Sequence, residues 1–239
     1  MDTATSNGRY DAVTLDMGFT LVNLDSGYDR MLLTMARDAG HDLTLDDIRA
    51  EQHVFWQEFT AEDATRTWEP TIANDAAFGQ EIDRRICEKL GITDAEFLAE
   101  LHRRAQIMFR DPATCTVFPE VFETLTALRR MVPRLGILSN WGWHLPELCE
   151  QLGLASYFDF IVVSARVGCS KPNPCIFREM LRQAGTTPAR TLHVGDSLSA
   201  DVRGAQAVGI TGVLVDRAGT VQPYGYPVVR DLAGVLALL

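Results

Sequence analysis

The run Tyr10-Asp11-Ala12-Val13-Thr14-Leu15-Asp16-Met17-Gly18-Phe19-Thr20 decides how the rest of the chain is read. A short apolar stretch closes on an acid, and a glycine and a threonine follow at once. That pattern predicts a buried strand ending in a tight turn. The same order returns four times. Leu135-Gly136-Ile137-Leu138 runs into Ser139-Asn140, and Phe160-Ile161-Val162-Val163 runs into Ser164. Thr191-Leu192-His193-Val194 runs into Gly195-Asp196, and Gly212-Val213-Leu214-Val215 into Asp216. Amphipathic stretches at 119–131, 145–152, 174–184, 199–208 and 231–238 lie around these runs and predict helices. Apolar strands alternating with helices predict an α/β fold, a doubly wound parallel sheet covered on both faces.

From about Ser26 to Arg110 the strand pattern is missing. Four helices are expected, at 26–39, 45–61, 71–90 and 94–109. Ser26, Thr44-Leu45-Asp46-Asp47 and Thr93-Asp94-Ala95-Glu96 are start signals, and Gly40 and Gly91 are stops. The expected division is therefore a core of residues 1–22 and 111–239, interrupted after its first strand by an all-helical domain at 23–110. Residues 1–8 are polar and read as a frayed end.

Composition narrows the function. The chain has 239 residues, 46% apolar and 23% charged, and a net charge of −10. An acidic surface repels nucleic acid and anionic lipid, so a small-molecule partner is expected, with no nucleic acid and no membrane. A monomer and a homodimer both remain open. No run approaches the ~20 apolar residues that span a bilayer. Met1-Asp2-Thr3-Ala4 has neither a basic flank nor an apolar stretch, so no signal peptide is read and a cytoplasmic location is expected. Five cysteines (Cys87, Cys115, Cys149, Cys169, Cys175) form no CxxC pair, which predicts reduced thiols. Cys169 and Cys175 are read as small buried thiols beside Lys171. Only two lysines, Lys89 and Lys171, stand among 20 arginines. Where arginine is the habitual base, a lysine points to a position that arginine would not serve.

Ligands of doubly wound sheets bind at the carboxyl ends of the strands. The residues there are Asp16 and Thr20, then Ser139 and Asn140, then Lys171, then Asp196, Ser197 and Asp201. Converging carboxylates cannot all stay charged without a cation, which implies Mg²⁺. A lysine and hydroxyls beside that metal suit a phosphate or another anion. Plainer readings stand beside these. Asp16 could be a turn residue and Asp201 a first-turn acid that suits the helix dipole. His193, inside a strand, is read as a satisfied core residue. Phe55, Trp56, Phe59 and Trp68 are mostly core of the helical part, and Trp141 and Trp143 either line the pocket or pack.

Asp16-Met17-Gly18-Phe19-Thr20-Leu21, Ser139-Asn140, Lys171-Pro172 and Gly195-Asp196-Ser197-Leu198-Ser199-Ala200-Asp201 resemble the four ordered motifs of haloacid dehalogenase (HAD) superfamily hydrolases. Each single motif is weak, but four in order, each after a strand, are strong. The helical part is similar to their C1 cap. The stretch through Leu152-Gly153-Leu154, Tyr157-Phe158, Gly168 and Ile176-Phe177 is similar to subfamily IA. The resemblance covers nearly the whole chain from residue 9. It implies Asp16 as nucleophile, with Thr20, Ser139, Asn140 and Lys171 binding substrate or orienting the nucleophile. It also implies Mg²⁺ on Asp16, the Gly18 carbonyl and Asp196, with Asp201 in support.

One position departs from the pattern. Family phosphatases usually carry an acid/base Asp two residues after the nucleophile, and here Gly18 has no side chain. Three functions are therefore carried forward. The first is a Mg²⁺-dependent phosphatase of a small phosphorylated metabolite. The second is a metal-independent 2-haloacid dehalogenase, since a halide leaves without protonation. The third is a catalytically impaired binding protein of the same fold. Among helical-part residues, His41, His53 and His102 are candidates for a replacement acid. Phosphonate-cleaving members of the superfamily also lack this Asp but need a cap lysine for a Schiff base, and Lys89, the one lysine there, stands near the expected end of a helix, so that reading is not carried forward.

Overall fold

The computed structural model describes residues 9–24, 27–222 and 224–239. The helix start read at Ser26 and the frayed end read at 1–8 lie outside the described residues. β1 (Ala12–Leu15) opens the core, and β2 (Val22–Leu24) follows. Helices α1 (Gly27–Asp38), α2 (Leu45–Asp63), α3 (Ile72–Lys89) and α4 (Ala95–Met108) come next. The chain then runs through β3 (Cys115–Val117), α5 (Val121–Met131), β4 (Arg134–Ser139), α6 (Leu145–Gln151), β5 (Phe160–Val163), α7 (Ser164–Val167) and α8 (Pro174–Ala184). It ends with β6 (Thr191–Gly195), α9 (Gly204–Ala207), β7 (Thr211–Val215) and β8 (Val228–Val229).

The main sheet has the order β5-β4-β1-β6-β7-β8, and every pairing in it is parallel. The fold is α/β with a Rossmann-like sheet, as the strand–helix alternation predicts. β1 is central because its four residues are wholly buried on both faces. Val13 and Leu15 point into one apolar layer, with Leu125 and Leu128 of α5. Ala12 points into the other, with Phe177 and Met180 of α8. Period-two alternation thus serves two cores at once. The four long helices bury a third cluster of their own around Leu32, Phe55, Phe59, Ile86 and Leu101. Thr44 and Asp47 form the capping box read at the start of α2. Asp94 caps α4.

Several expectations need correction. β2 and β3 form a small antiparallel ladder where the chain leaves and re-enters the core, and neither was expected. The segment read as one helix at 199–208 is a π-helical turn, Leu198–Arg203, followed by the short α9. The last segment is a 3₁₀ helix, Leu232–Leu238. Cys169 and Cys175 are not free thiols but are joined by a disulfide. The loop between them brings their Cα atoms to 6.3 Å, inside bridging range, which the six-residue spacing alone does not reveal. Cys87, Cys115 and Cys149 remain free and buried.

Candidate active site

Asp16 is the first residue past β1. Its backbone N–H donates to the Val194 carbonyl at 2.9 Å, which locks it against the end of β6. The turn beyond it is tight: Thr20 N–H donates to the Gly18 carbonyl at 2.6 Å and Phe19 N–H to the Val22 carbonyl at 2.7 Å. The left-handed residue of this turn is Phe19, with φ 53°, not Gly18. Arg217 holds the turn from outside, donating to the carbonyls of Phe19 (3.1 Å) and Thr20 (2.8 Å). The Thr20 hydroxyl is fully buried and has no partner among the described residues. A buried unpaired hydroxyl costs free energy, so its place in the turn after β1 suits a ligand oxygen.

Lys171 arrives on the loop between α7 and α8 and is 3% exposed. Its ammonium donates to Asp16 Oδ1 (2.6 Å), Asp201 Oδ1 (2.6 Å) and the Leu138 carbonyl (2.9 Å). All three of its donors are thereby used. Burial works against the charge, but Asp16 and Asp201 outweigh it and raise the lysine above its ordinary value. Asp201 is likewise buried, yet Lys171 and His193 hold its carboxyl well below the usual range. Its Oδ2 accepts from Ser197 N–H at 2.9 Å. Asp201 does sit in the first turn of the Leu198–Arg203 helix, and it also bonds Lys171 and His193.

Asp196 lies past β6, still open to solvent. One oxygen each from Asp16, Asp196 and Asp201 lies within 4.8 Å of the others. Desolvation in the cleft and then the charges of Asp16 and Asp201 push Asp196 well above the carboxylate range. Burial also raises Asp16, against the pull of Lys171. Ionised together, three carboxylates would outnumber the one ammonium and leave excess negative charge, which is why Asp196 and Asp16 are raised where no further cation balances them. Oxygen donors with that excess suit a hard divalent cation.

Ser139 is buried at the end of β4, where hydrogen bonding to Asp16 favours the ionised carboxylate. Asn140, expected to contact substrate, also has a structural duty. Its Nδ2 donates to the Lys171 carbonyl (2.8 Å) and its Oδ1 accepts from Lys171 N–H (2.7 Å), so it pins the lysine's backbone. A Cβ at Gly18 would meet Leu24 Cδ1 at 3.5 Å and Trp141 Cζ3 at 3.6 Å, ordinary contact distances. Trp141 packs edge-on against Phe109 and against the core, while Trp143 stacks with Arg166.

The helical segment touches this region at named points. Asp75 accepts from Trp143 N–H at 2.9 Å, and Trp68 N–H donates to the Gly168 carbonyl at 2.8 Å. Ser170 donates to Asp63, and Asn173 Nδ2 to the Arg66 carbonyl at 3.0 Å. These four contacts were not legible in the sequence, because the partners lie far apart along it. Three other candidates of the helical segment are paired within it. His102 pairs with Asp83, His53 with Gln57 and Lys89 with Glu58. Recesses of about 370 Å³ beside β5 and about 200 Å³ beside Trp68 are lined by none of the site residues. Among the described residues, no helix is long and apolar enough to cross a membrane.

Comparison with known proteins identifies the family and the fold. A family model described as haloacid dehalogenase-like hydrolase matches residues 10–209. The chain is 30% identical over 215 residues to the mouse haloacid dehalogenase-like hydrolase domain-containing protein 3, covering 85% of this chain and 80% of that protein. It is 38% identical over 101 residues to the glyceraldehyde 3-phosphate phosphatase of Methanopyrus kandleri, 42% of this chain and 43% of that one. The fold superposes on the magnesium-bound YfnB of Bacillus subtilis with a TM-score of 0.73, at 20% identity and covering 97% and 99% of the two chains.

Proposed function

The chain belongs to the haloacid dehalogenase-like hydrolases, and on that premise we propose that it removes phosphate from a small phosphorylated metabolite, with Asp16 as nucleophile and Mg²⁺ as cofactor. The observation that carries this reading is the cluster at the strand ends. Asp16 is fixed beside Lys171, an acid stands at Asp196, and the Thr20 hydroxyl waits without a partner.

In this reading an Asp16 oxygen attacks phosphorus, and the bond from phosphorus to the ester oxygen breaks. The leaving oxygen departs with the electron pair. Thr20 and Ser139 hold the phosphoryl oxygens, and Lys171, bound to Asp16, offsets the negative charge that the phosphoryl group brings. Water then attacks the aspartyl phosphate and frees inorganic phosphate and Asp16. Asp16, Asp196 and the Gly18 carbonyl would hold Mg²⁺, which supplies neutralisation of phosphoryl charge when bound. Asp201 stays with Lys171. Residues 23–110 act as a cap that selects the substrate, and residues 1–22 and 111–239 supply the chemistry.

Gly18 restricts the substrate. No side chain there can protonate the leaving oxygen, and the walls are Leu24 and Trp141. Esters whose leaving groups have a low pKa, aryl or acyl phosphates, are then cleaved much faster than alkyl phosphates. The same Gly18 favours a second reading, metal-independent cleavage of a 2-haloacid, which Asp196 opposes. A substrate panel with Mg²⁺ and with chelator separates them. Phosphate release that needs Mg²⁺ supports the first. Halide release indifferent to chelator replaces it with the second. No turnover on any substrate leaves a binding protein.

A further inference from the structure

His193 is wholly buried, and the chemistry above does not use it. It lies on β6 beside β1, in register with Thr14, two residues before the nucleophile. Its neighbours Leu192 and Val194 point into the opposite apolar layer, so the ring faces α8, where Phe177 packs edge-to-face at 5.7 Å. Both ring nitrogens have partners: Nδ1 lies 3.0 Å from Thr14 Oγ1, and Nε2 lies 3.0 Å from Asp201 Oδ1.

The partners select the tautomer. Asp201 is a carboxylate held ionised beside Lys171, so it can only accept, and Nε2 must carry the proton. Thr14 has one hydroxyl proton. It can give it to Nδ1 at 3.0 Å or to the Leu192 carbonyl at 3.4 Å. The shorter bond, and the cost of a second buried cation next to Lys171, favour Nδ1 as the acceptor. A neutral Nε2–H ring results, wedged between Thr14 and Asp201.

We propose that His193 is a positioning residue: through its Nε2–H it fixes the Asp201 oxygen that Lys171 shares, and so holds Lys171 on the Asp16 nucleophile. The residue at position 195 is part of the same arrangement. A Cβ on Gly195 would lie 2.1 Å from Asp201 Cγ, so only glycine admits the carboxylate to the ring. The chain of contacts Thr14, His193, Asp201, Lys171, Asp16 runs from the sheet interior to the reacting atom without a break.

The effect on turnover rests on the phosphatase reading, but the tautomer does not. Two-bond ¹⁵N–¹H correlation spectra of the five histidines, with His193 assigned by substitution, read the tautomer directly. The expected result is a protonated Nε2 and a bare Nδ1. A protonated Nδ1, alone or with Nε2, overturns the assignment. For turnover, His193→Gln keeps a donor at the reach of Nε2, whereas His193→Leu removes it. With a cleavable substrate in hand, kcat should stay close to the parent's in His193→Gln. In His193→Leu it should fall about 10- to 100-fold with KM little changed, the scale seen when a group that orients a site ligand is lost. Equal loss in both folded variants, or none in either, overturns the positioning role. If the parent turns over nothing, the functional reading fails and the spectra still decide the tautomer.

Discussion

Asp201 with His193 in the sheet and Asp83 with His102 in the helical segment are two buried acid–imidazole pairs of similar length, 3.0 and 2.8 Å. Their acids are displaced in opposite directions. Asp83 also accepts from the Tyr28 hydroxyl at 2.7 Å, but burial still raises it above the ordinary value. Asp201 is more deeply set and yet is lowered. The difference is Lys171, which places a fixed positive charge 2.6 Å away. Neutral or shared donors reduce the cost of burying a carboxylate, and a fixed cation reverses it. One pair therefore welds helices together, and the other keeps a charge in readiness beside Asp16.

The sharpest way to break this contrast is to remove one acid from each region. Asp16→Asn should lower kcat by about 10⁴-fold or more, the scale seen for lost nucleophiles. Asp83→Asn should leave kcat within a few-fold. Steady-state kinetics on one good substrate measures both, and equal losses would erase the distinction.

Removing the cation comes next. Lys171→Met leaves Asp16 and Asp201 facing each other in the interior, and should cost about 3–5 kcal/mol in metal-free protein by urea unfolding. His102→Gln keeps a donor near Asp83 and should cost about 1 kcal/mol. A Lys171→Met protein as stable as its parent would show that the ammonium is not needed to hold the acids.

Gly18→Asp tests what the site lacks. The backbone there is not left-handed, and the new Cβ has room. Alkyl phosphate turnover should rise by up to about 10²-fold, while aryl phosphate turnover changes little. A uniform rise for both would mean that protonation is not what limits the parent.

The smallest effect is in pH. Asp83 binds its proton more tightly folded than unfolded, so its contribution to stability is fully present below the unfolded value near 3.8 and is lost as pH rises through its raised value. The contribution of Asp201 has the opposite sign. It is fully present above the unfolded value and is lost only as pH falls below it. Acidification from about pH 6 to about pH 4 should therefore slow hydrogen exchange in α3 and α4 by on the order of 1 kcal/mol, with no matching loss in β6. Further acidification should loosen β6. Exchange that moves in parallel in the two regions would refute the contrast.

The sequence exposed most of the sheet because an acid or a hydroxyl closes each buried run. Asp16, Ser139 and Asp196 stand at strand ends for the same reason they are readable: a polar group ends an apolar strand where a ligand can reach it. The helices from α1 to α4 were legible from caps and periodicity. What stayed hidden depends on partners far away in sequence. The ladder of β2 and β3 has only three residues on each strand, too few for alternation to show. The value of His193 depends on register with Thr14, which only the pairing of β1 with β6 sets. The bonds of Asn140 to the Lys171 backbone join residues 31 apart, which spacing along the chain does not reveal. The positive φ sits on Phe19, where no residue preference would have placed it.

The disulfide closes a ring around a short piece of chain, and the residues inside it answer to different owners. Ser170 and Asn173 are tied to the helical segment, while Lys171 between them is tied to the sheet. The bridge thus closes covalently over a stretch whose neighbours on either side of the lysine belong to the helical segment. The ties to Asp63 and Arg66 lie within two residues of the ammonium that sits on Asp16.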